Sequence, residues 1–215
     1  NKTYFRSRFI NFETMPKPTQ AGKPIIFASN HSGMTFPWDA MAMTAGLFEK
    51  SDYQLKEAVR PIASPLLSTL PVMSPFLLNN FWSRQGAIGA TMENFDDNMS
   101  QDDVNLLIYP EGIGGIGKGF NKKYEVQRIS TSMVRMSIMH QADIVLIATV
   151  GGEYINPLSY SFDSINRASG KLGIPFIPVG PSLCLVLLQP WMAYFAFPAK
   201  LTFVRGETFR PYDMV

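Results

Sequence analysis

The chain has 215 residues, 46% of them hydrophobic and 17% charged, with a formal net charge of +2. This length supports one domain with a sizeable core, and the small net charge excludes a strong basic field of the kind that draws nucleic acid. The single cysteine, Cys184, excludes an intramolecular disulfide, and its setting in Ser182-Leu183-Cys184-Leu185 predicts a buried, inert thiol.

The first element in chain order is Pro24-Ile25-Ile26-Phe27-Ala28-Ser29, an apolar run with branched residues that predicts a buried strand ending at Asn30-His31. Helices are predicted over Ala40 to Phe48 and Ala87 to Met99. Asn105 to Tyr109 and Ile144 to Val150 repeat the strand signal, each running into a proline or glycine turn. Between them Glu125 to His140 predicts the best helix, with Val126, Ile129, Met133, Met136 and Met139 at helical steps and His140 closing it. Strand and helix alternate, which predicts an α/β fold with three neighbouring strands whose carboxyl ends carry loops, the edge where ligands gather. No internal repeat appears, so residues 1–215 are expected to form one domain; further segments beyond both termini are compatible with a chain that opens at Asn1.

Two stretches, Pro61 to Trp82 and Leu172 to Ala199, carry no charged residue. Pro175, Pro178, Pro181, Pro190 and Pro198 interrupt the second too often for a membrane-spanning helix. A core-covering loop, a surface that dips into lipid headgroups and a protein interface are the three readings of such a segment.

The chemistry concentrates at two loops. His31, one of only two histidines, follows the first strand, and Asp39 lies a short loop beyond it. An imidazole suits proton abstraction near neutral pH, and a carboxylate on its other nitrogen fixes the tautomer and steadies the imidazolium. Asp39 also suits the N-cap of a helix beginning at Ala40, a role compatible with the first, and His31 alone reads equally as a satisfied strand-end histidine. The second loop, Tyr109-Pro110-Glu111-Gly112-Ile113-Gly114-Gly115-Ile116-Gly117-Lys118, is rich in glycine, and Lys118, Lys122, Lys123 and Arg128 bring positive charge to it. It reads as an anion cradle for phosphate or, more plainly, as a flexible connection. Gly119 stands where the Walker pattern needs Ser or Thr, and the Gly112-x-Gly114-x-x-Gly117 spacing alone is a weak sign of a dinucleotide loop.

These blocks, together with Gly86-Ala87-Ile88-Gly89-Ala90-Thr91-Met92-Glu93-Asn94 and Val150-Gly151-Gly152-Glu153-Tyr154-Ile155-Asn156-Pro157, resemble in order and spacing the glycerolipid/lysophospholipid acyltransferase family, most closely its diacylglycerol-acyltransferase-like branch. The resemblance runs from about Pro24 to Gly206. It implies a central mixed, largely parallel β-sheet flanked by helices. It also implies transfer of a fatty acyl group from acyl-CoA or an acyl-carrier protein, as co-substrate, to the hydroxyl of a lysophospholipid or glycerol-phosphate-type acceptor, at the cytoplasmic face of a membrane. A neutral acceptor (monoacylglycerol, diacylglycerol or a long-chain alcohol) is the alternative. On this basis His31 is the general base and Asp39 its orienting carboxylate; Glu111 and Gly112 match the acceptor-binding block, with Glu111 contacting the acceptor or shaping its turn, Arg84 matches the phosphate-binding arginine, and Lys118 and Arg128 accompany them. No metal or resident cofactor is implied. One departure stands: Ser32 to Trp38 puts seven residues between His31 and Asp39, a longer gap than the family's usual motif.

Without catalysis, a lipid-binding module would use the same apolar segments and basic turn. A serine hydrolase is disfavoured because the sequence has no Gly-x-Ser-x-Gly elbow. For acyl transfer, Pro61 to Phe81 is expected to wall the acyl chain, and backbone amides near Ser32 or Gly112 are expected to serve the oxyanion.

Overall fold

The structure is a computed structural model that describes residues 2–33, 35–65, 67, 77–101 and 104–215. Among these, seven strands form one sheet: β1 (Arg8–Ile10), β2 (Ile26–Ser29), β3 (Val59–Ala63), β4 (Ile88–Gly89), β5 (Asn105–Ile108), β6 (Ile144–Val150) and β7 (Thr202–Phe209). Their spatial order is β1-β7-β6-β2-β5-β3-β4, and every neighbouring pair is parallel except β6 with β7. The helices are α1 (Trp38–Lys50), α2 (Phe81–Arg84), α3 (Met92–Met99), α4 (Gly112–Ile116), α5 (Ser132–His140), α6 (Asp163–Gly170) and α7 (Pro181–Leu188). The expected mixed, largely parallel sheet flanked by helices is the observed architecture.

Side chains alternate across a strand, so each central strand feeds two cores. Phe27, Leu107 and Val145 join Met43 and Leu47 of α1 on one face. Ile26, Leu106 and Ile144 join Phe95 and Met99 of α3 and Met133 and Met136 of α5 on the other. Each such side chain contributes about 1.5–3 kcal/mol on burial, which offsets the cost of the polar groups buried at one edge of the sheet. The three strands read from the sequence, β2, β5 and β6, are neighbours, with Ile26 in register with both Leu106 and Ile144. Their carboxyl ends therefore lie side by side.

Two predicted helices are shorter than their patterns. Ile88 pairs with Ile62 in the sheet, which takes Ala87 to Gly89 out of the helix, and α3 starts instead behind Thr91, whose hydroxyl accepts the Asn94 N–H at 3.1 Å. Residues 125–131 are not helical because their amides bond elsewhere: Gln127 N–H donates to the Glu111 carboxylate at 2.6 Å and Ser130 N–H to the Pro110 carbonyl at 2.8 Å. Cys184 corrects another expectation. Its thiol is exposed, because α7 buries none of its residues. Among the described residues no helix is long and apolar enough to cross a membrane.

Candidate active site

Parallel pairing of β2, β5 and β6 brings the loop after each to one edge, and the site is assembled from those three loops. Asn30 ties the first to the third, donating to the Thr149 carbonyl at 2.9 Å and accepting the Thr149 N–H at 2.8 Å. Ser32 Oγ accepts the Gly152 N–H at 3.1 Å. A Cβ on Gly152 would lie 2.3 Å from that hydroxyl oxygen, so the close approach requires glycine. His31 is thereby fixed at the strand end.

Asp39 reaches His31. Its Oδ2 lies 3.1 Å from His31 Nδ1 and also accepts the Ser32 N–H at 3.1 Å. The seven-residue gap is closed by α1 starting at Trp38 rather than Ala40, so Asp39 sits in the first turn instead of at the N-cap, which is Pro37. An aromatic group holds this turn: Phe36 packs on Trp38 and Trp82, and the Trp38 indole N–H donates to the Tyr194 carbonyl at 3.0 Å. Asp39 is 1% exposed. Burial pushes its carboxyl up, but the His31 charge and hydrogen bond, with the Ser32 and Ala40 amides, outweigh that and hold it below the ordinary carboxylate range. On its open face the imidazole stacks on the Tyr109 ring, centroids 3.9 Å apart and planes 12° apart.

Glu111 supports His31 from behind. Its Oε1 accepts the His31 backbone N–H at 3.1 Å, its Oε2 accepts the Gln127 N–H at 2.6 Å, and Lys118 Nζ lies 3.0 Å from Oε2. Lys118 spends its remaining reach on the Glu125 carbonyl, at 2.7 Å. Through these contacts Glu111 shapes the turn behind His31. Lys118, expected to accompany the acceptor site, is buried against Glu111 and is not among the described residues that line the His31 cavity. Arg128 is exposed and is likewise not among the described residues that line that cavity. Nor is the glycine-rich segment a loose cradle. Residues 112–116 form α4, only Gly112 of its glycines has a positive φ (55°), and a Cβ on Gly115 would lie 2.7 Å from Glu111 Cβ and 3.0 Å from His31 Cβ. The glycines let α4 lie against the histidine. Of the amides in the region expected to serve an oxyanion, those of Ser32 and Gly112 themselves are committed, Ser32 N–H to Asp39 and Gly112 N–H to the Tyr109 carbonyl.

His31 lines a cavity of about 910 Å³. One wall is the face of α1 carrying Ala40, Met41, Thr44, Ala45 and Phe48, and the opposite wall is β3. Its charged lining consists of two arginines, with no carboxylate among the described lining residues. Arg84, at the end of α2, is the one the sequence points to. Arg60, on β3, was not foreseen; its guanidinium is held by the Gly86 carbonyl at 3.1 Å and Asn98 Oδ1 at 3.2 Å. Neither arginine pairs with a carboxylate among the described residues. Gly112 also lines the cavity, whereas residues 66 and 68–76 of the expected acyl wall lie outside the described residues.

A buried histidine–carboxylate pair at the carboxyl edge of a parallel sheet, beside an apolar cavity with two arginines, is the layout of an enzyme that moves a proton next to an apolar substrate. The chain belongs to the Acyltransferase family, whose pattern matches residues 6–161. Uncharacterized proteins of Mycobacterium leprae and Mycobacterium tuberculosis are each 23% identical to it over 209 residues, covering 94% and 96% of this chain and 53% and 52% of their own. The chain thus spans about half the length of the curated relatives it matches. The crystal structure of the 1-acyl-sn-glycerophosphate (LPA) acyltransferase PlsC from Thermotoga maritima shares the fold, with a TM-score of 0.50, 14% identity, and coverage of 96% of this chain and 63% of that one.

Proposed function

We propose that the chain is an O-acyltransferase that moves a fatty acyl group from a thioester donor, acyl-CoA or acyl-carrier protein, to the hydroxyl of a lysophospholipid or glycerol-phosphate-type acceptor. The observation that carries this reading is the His31–Asp39 pair, 3.1 Å apart, on the wall of an apolar cavity that also holds Arg60 and Arg84. An acyl chain needs the apolar wall and an acceptor phosphate needs the arginines, whose fork matches phosphate oxygens.

Asp39 holds Nδ1, which leaves Nε2 as the working nitrogen; it has no hydrogen-bond partner among the described residues. Nε2 takes the acceptor hydroxyl proton as that oxygen attacks the thioester carbonyl carbon. The imidazolium so formed faces the ionised Asp39, which is the state the buried carboxylate favours. The tetrahedral oxyanion then collapses, the carbon–sulfur bond breaks, and the departing thiolate takes the proton back from Nε2. The products are an ester and a free thiol, and His31 is restored.

A neutral acceptor, as in the diacylglycerol-acyltransferase-like branch, is the second reading. It is favoured by the withdrawal of Lys118 into its pair with Glu111, which leaves the cavity less cationic than the sequence suggests. One experiment tests both: long-chain acyl-CoA is offered with lysophosphatidate, other lysolipids, monoacylglycerol, diacylglycerol and a long-chain alcohol, and thiol and acylated lipid are followed together. Acylation of the phosphate-bearing acceptors, lost in His31→Ala, is expected. Acylation of the neutral acceptors alone selects the second reading, and lipid binding with no ester formed by wild type overturns both.

A further inference from the structure

The segment from Leu172 to Ala199 is 28 residues long without a single Asp, Glu, Lys or Arg. Most of its apolar groups do not enter either core. In α7 no residue is buried, and Leu187 and Leu188 are 74% and 76% exposed. Trp191, 52% exposed, follows in the short 3-10 turn of Pro190–Tyr194, and Leu172, Leu185 and Phe195 of the same segment are exposed as well. A patch of this kind marks an interaction site rather than ordinary surface.

Three features define what covers it. The segment is bounded by Lys171 and Lys200, both exposed, so an uncharged centre lies between cationic ends. A protein interface carries charged and hydrogen-bonding residues at its rim and among its contacts; a bilayer surface instead presents apolar acyl chains beneath anionic headgroups, which complements this arrangement. Tryptophan, with an apolar ring and one polar N–H, suits the boundary between them. The segment is also continuous with the site: Pro175 and Phe176 line the His31 cavity, and the Tyr194 carbonyl accepts the indole N–H of Trp38, next to Asp39.

We propose that Leu172–Ala199 is a lipid-docking face that seats the protein on the bilayer surface with the His31 cavity beside it, so that water-insoluble acyl substrates enter without crossing solvent. α7 has 8 residues, about 12 Å at 1.5 Å per residue, so it lies in the interface plane and does not span it. This placement deepens the proposed acyl transfer, but vesicle binding can be measured without any substrate, so the two fail separately.

The test is flotation of the full chain with vesicles of phosphatidylcholine alone and of phosphatidylcholine with phosphatidylglycerol, comparing wild type, Leu187→Glu/Leu188→Glu and Lys171→Glu/Lys200→Glu. Circular dichroism establishes that each variant is folded. Wild type is expected to float with both vesicles, more strongly with the anionic ones. The double leucine variant should lose roughly 100-fold in partitioning, since two apolar side chains are replaced by charges that resist insertion. The lysine variant should lose only the preference for anionic lipid, roughly tenfold. Wild type that stays with neither vesicle overturns the proposal. So does a leucine variant that floats like wild type, or a wild-type dimer that binds no vesicle and that the leucine variant makes monomeric, which would assign the face to a second copy of the chain.

Discussion

Both histidines of the chain sit against an aspartate, and the two pairs differ in everything except that contact. His140 Nε2 lies 2.7 Å from Asp96 Oδ1, closer than the 3.1 Å between His31 and Asp39. Yet Asp96 has a side chain 49% exposed, while that of Asp39 is 1% exposed. The first pair ties α5 to α3 at the surface. In the second, the remaining lone pairs of Asp39 are filled by two backbone amides and the imidazole is stacked on Tyr109 beside a cavity. A short ion-pair distance does not mark a catalytic histidine. What sets the proposed catalytic pair apart is a buried, fully bonded carboxylate and a ring beside a substrate-sized cavity.

The largest separation of the two pairs should come from removing the rings. His31→Ala is expected to lower kcat by about 10² to 10⁴, the usual worth of a general base, and His140→Ala to leave it within about twofold. A comparable loss from both would mean that each variant acts through the fold, a point thermal denaturation of the two proteins resolves.

Glu111 provides the next contrast, one of stability. Glu111→Gln leaves the Lys118 ammonium buried without its counter-charge, and removal of one partner of such a pair costs about 3–5 kcal/mol. Nothing of that size is expected at the surface pair, where Asp96→Asn should cost at most about 1 kcal/mol. Urea unfolding measures both. In the double variant Glu111→Gln/Lys118→Met much of the loss should return, since no unpaired charge is left; a double variant as unstable as the single one would mean that the lost hydrogen bonds to His31 and Gln127 dominate instead.

Much of this site was legible in the sequence and some was not, for physical reasons. The β6 strand has the extent its apolar run predicts, and β2 lacks only Pro24 and Ile25, because a continuous branched run has little choice but a buried strand. The pairing of His31 with Asp39 was expected from the family resemblance, although the turn that joins them depends on Phe36 packing both on nearby Trp38 and on Trp82, which comes from a separate part of the chain. Lys118 looked like an anion ligand because sequence shows a charge but not its direction. Arg60 was missed for a different reason. It lies in Val59-Arg60-Pro61, where proline weakens the strand signal, and only pairing of β3 with β5 brings it to the cavity. Likewise β1 and β7 went unread: they lie outside the motif blocks, and β7 joins the sheet by antiparallel pairing with β6.

Asp39→Asn should sharpen the comparison through pH. The folded-state carboxyl lies below its ordinary range, so the stability it contributes is present above the range where an unfolded aspartate titrates and is lost as pH falls through the folded value. Stability of wild type minus variant should therefore be greatest near neutrality and shrink below about pH 4. A gap that stays constant down to the acid limit would show that the native ion pair is not its source. The same variant should lower kcat by about 10² or more, because a neutral amide steadies the imidazolium far less than a carboxylate does.

The smallest expected effect concerns the ring against His31. The Tyr109 hydroxyl is buried with no hydrogen-bond partner among the described residues, and burial, together with the Asp39 charge, pushes its pKa well above the usual phenol range. It therefore stays neutral throughout the working pH, an orphaned polar group kept in place by the stack. Tyr109→Phe preserves the aromatic face at 3.9 Å from the imidazole and removes the orphan. Because an unsatisfied buried hydroxyl costs about 1–3 kcal/mol, the variant should be more stable than wild type by about 1 kcal/mol in urea unfolding. A variant less stable than wild type would mean that the hydroxyl has a solvent partner in the free protein. The stacked ring would then be held by water as well as by packing, a support that the surface pair of His140 and Asp96 does not need.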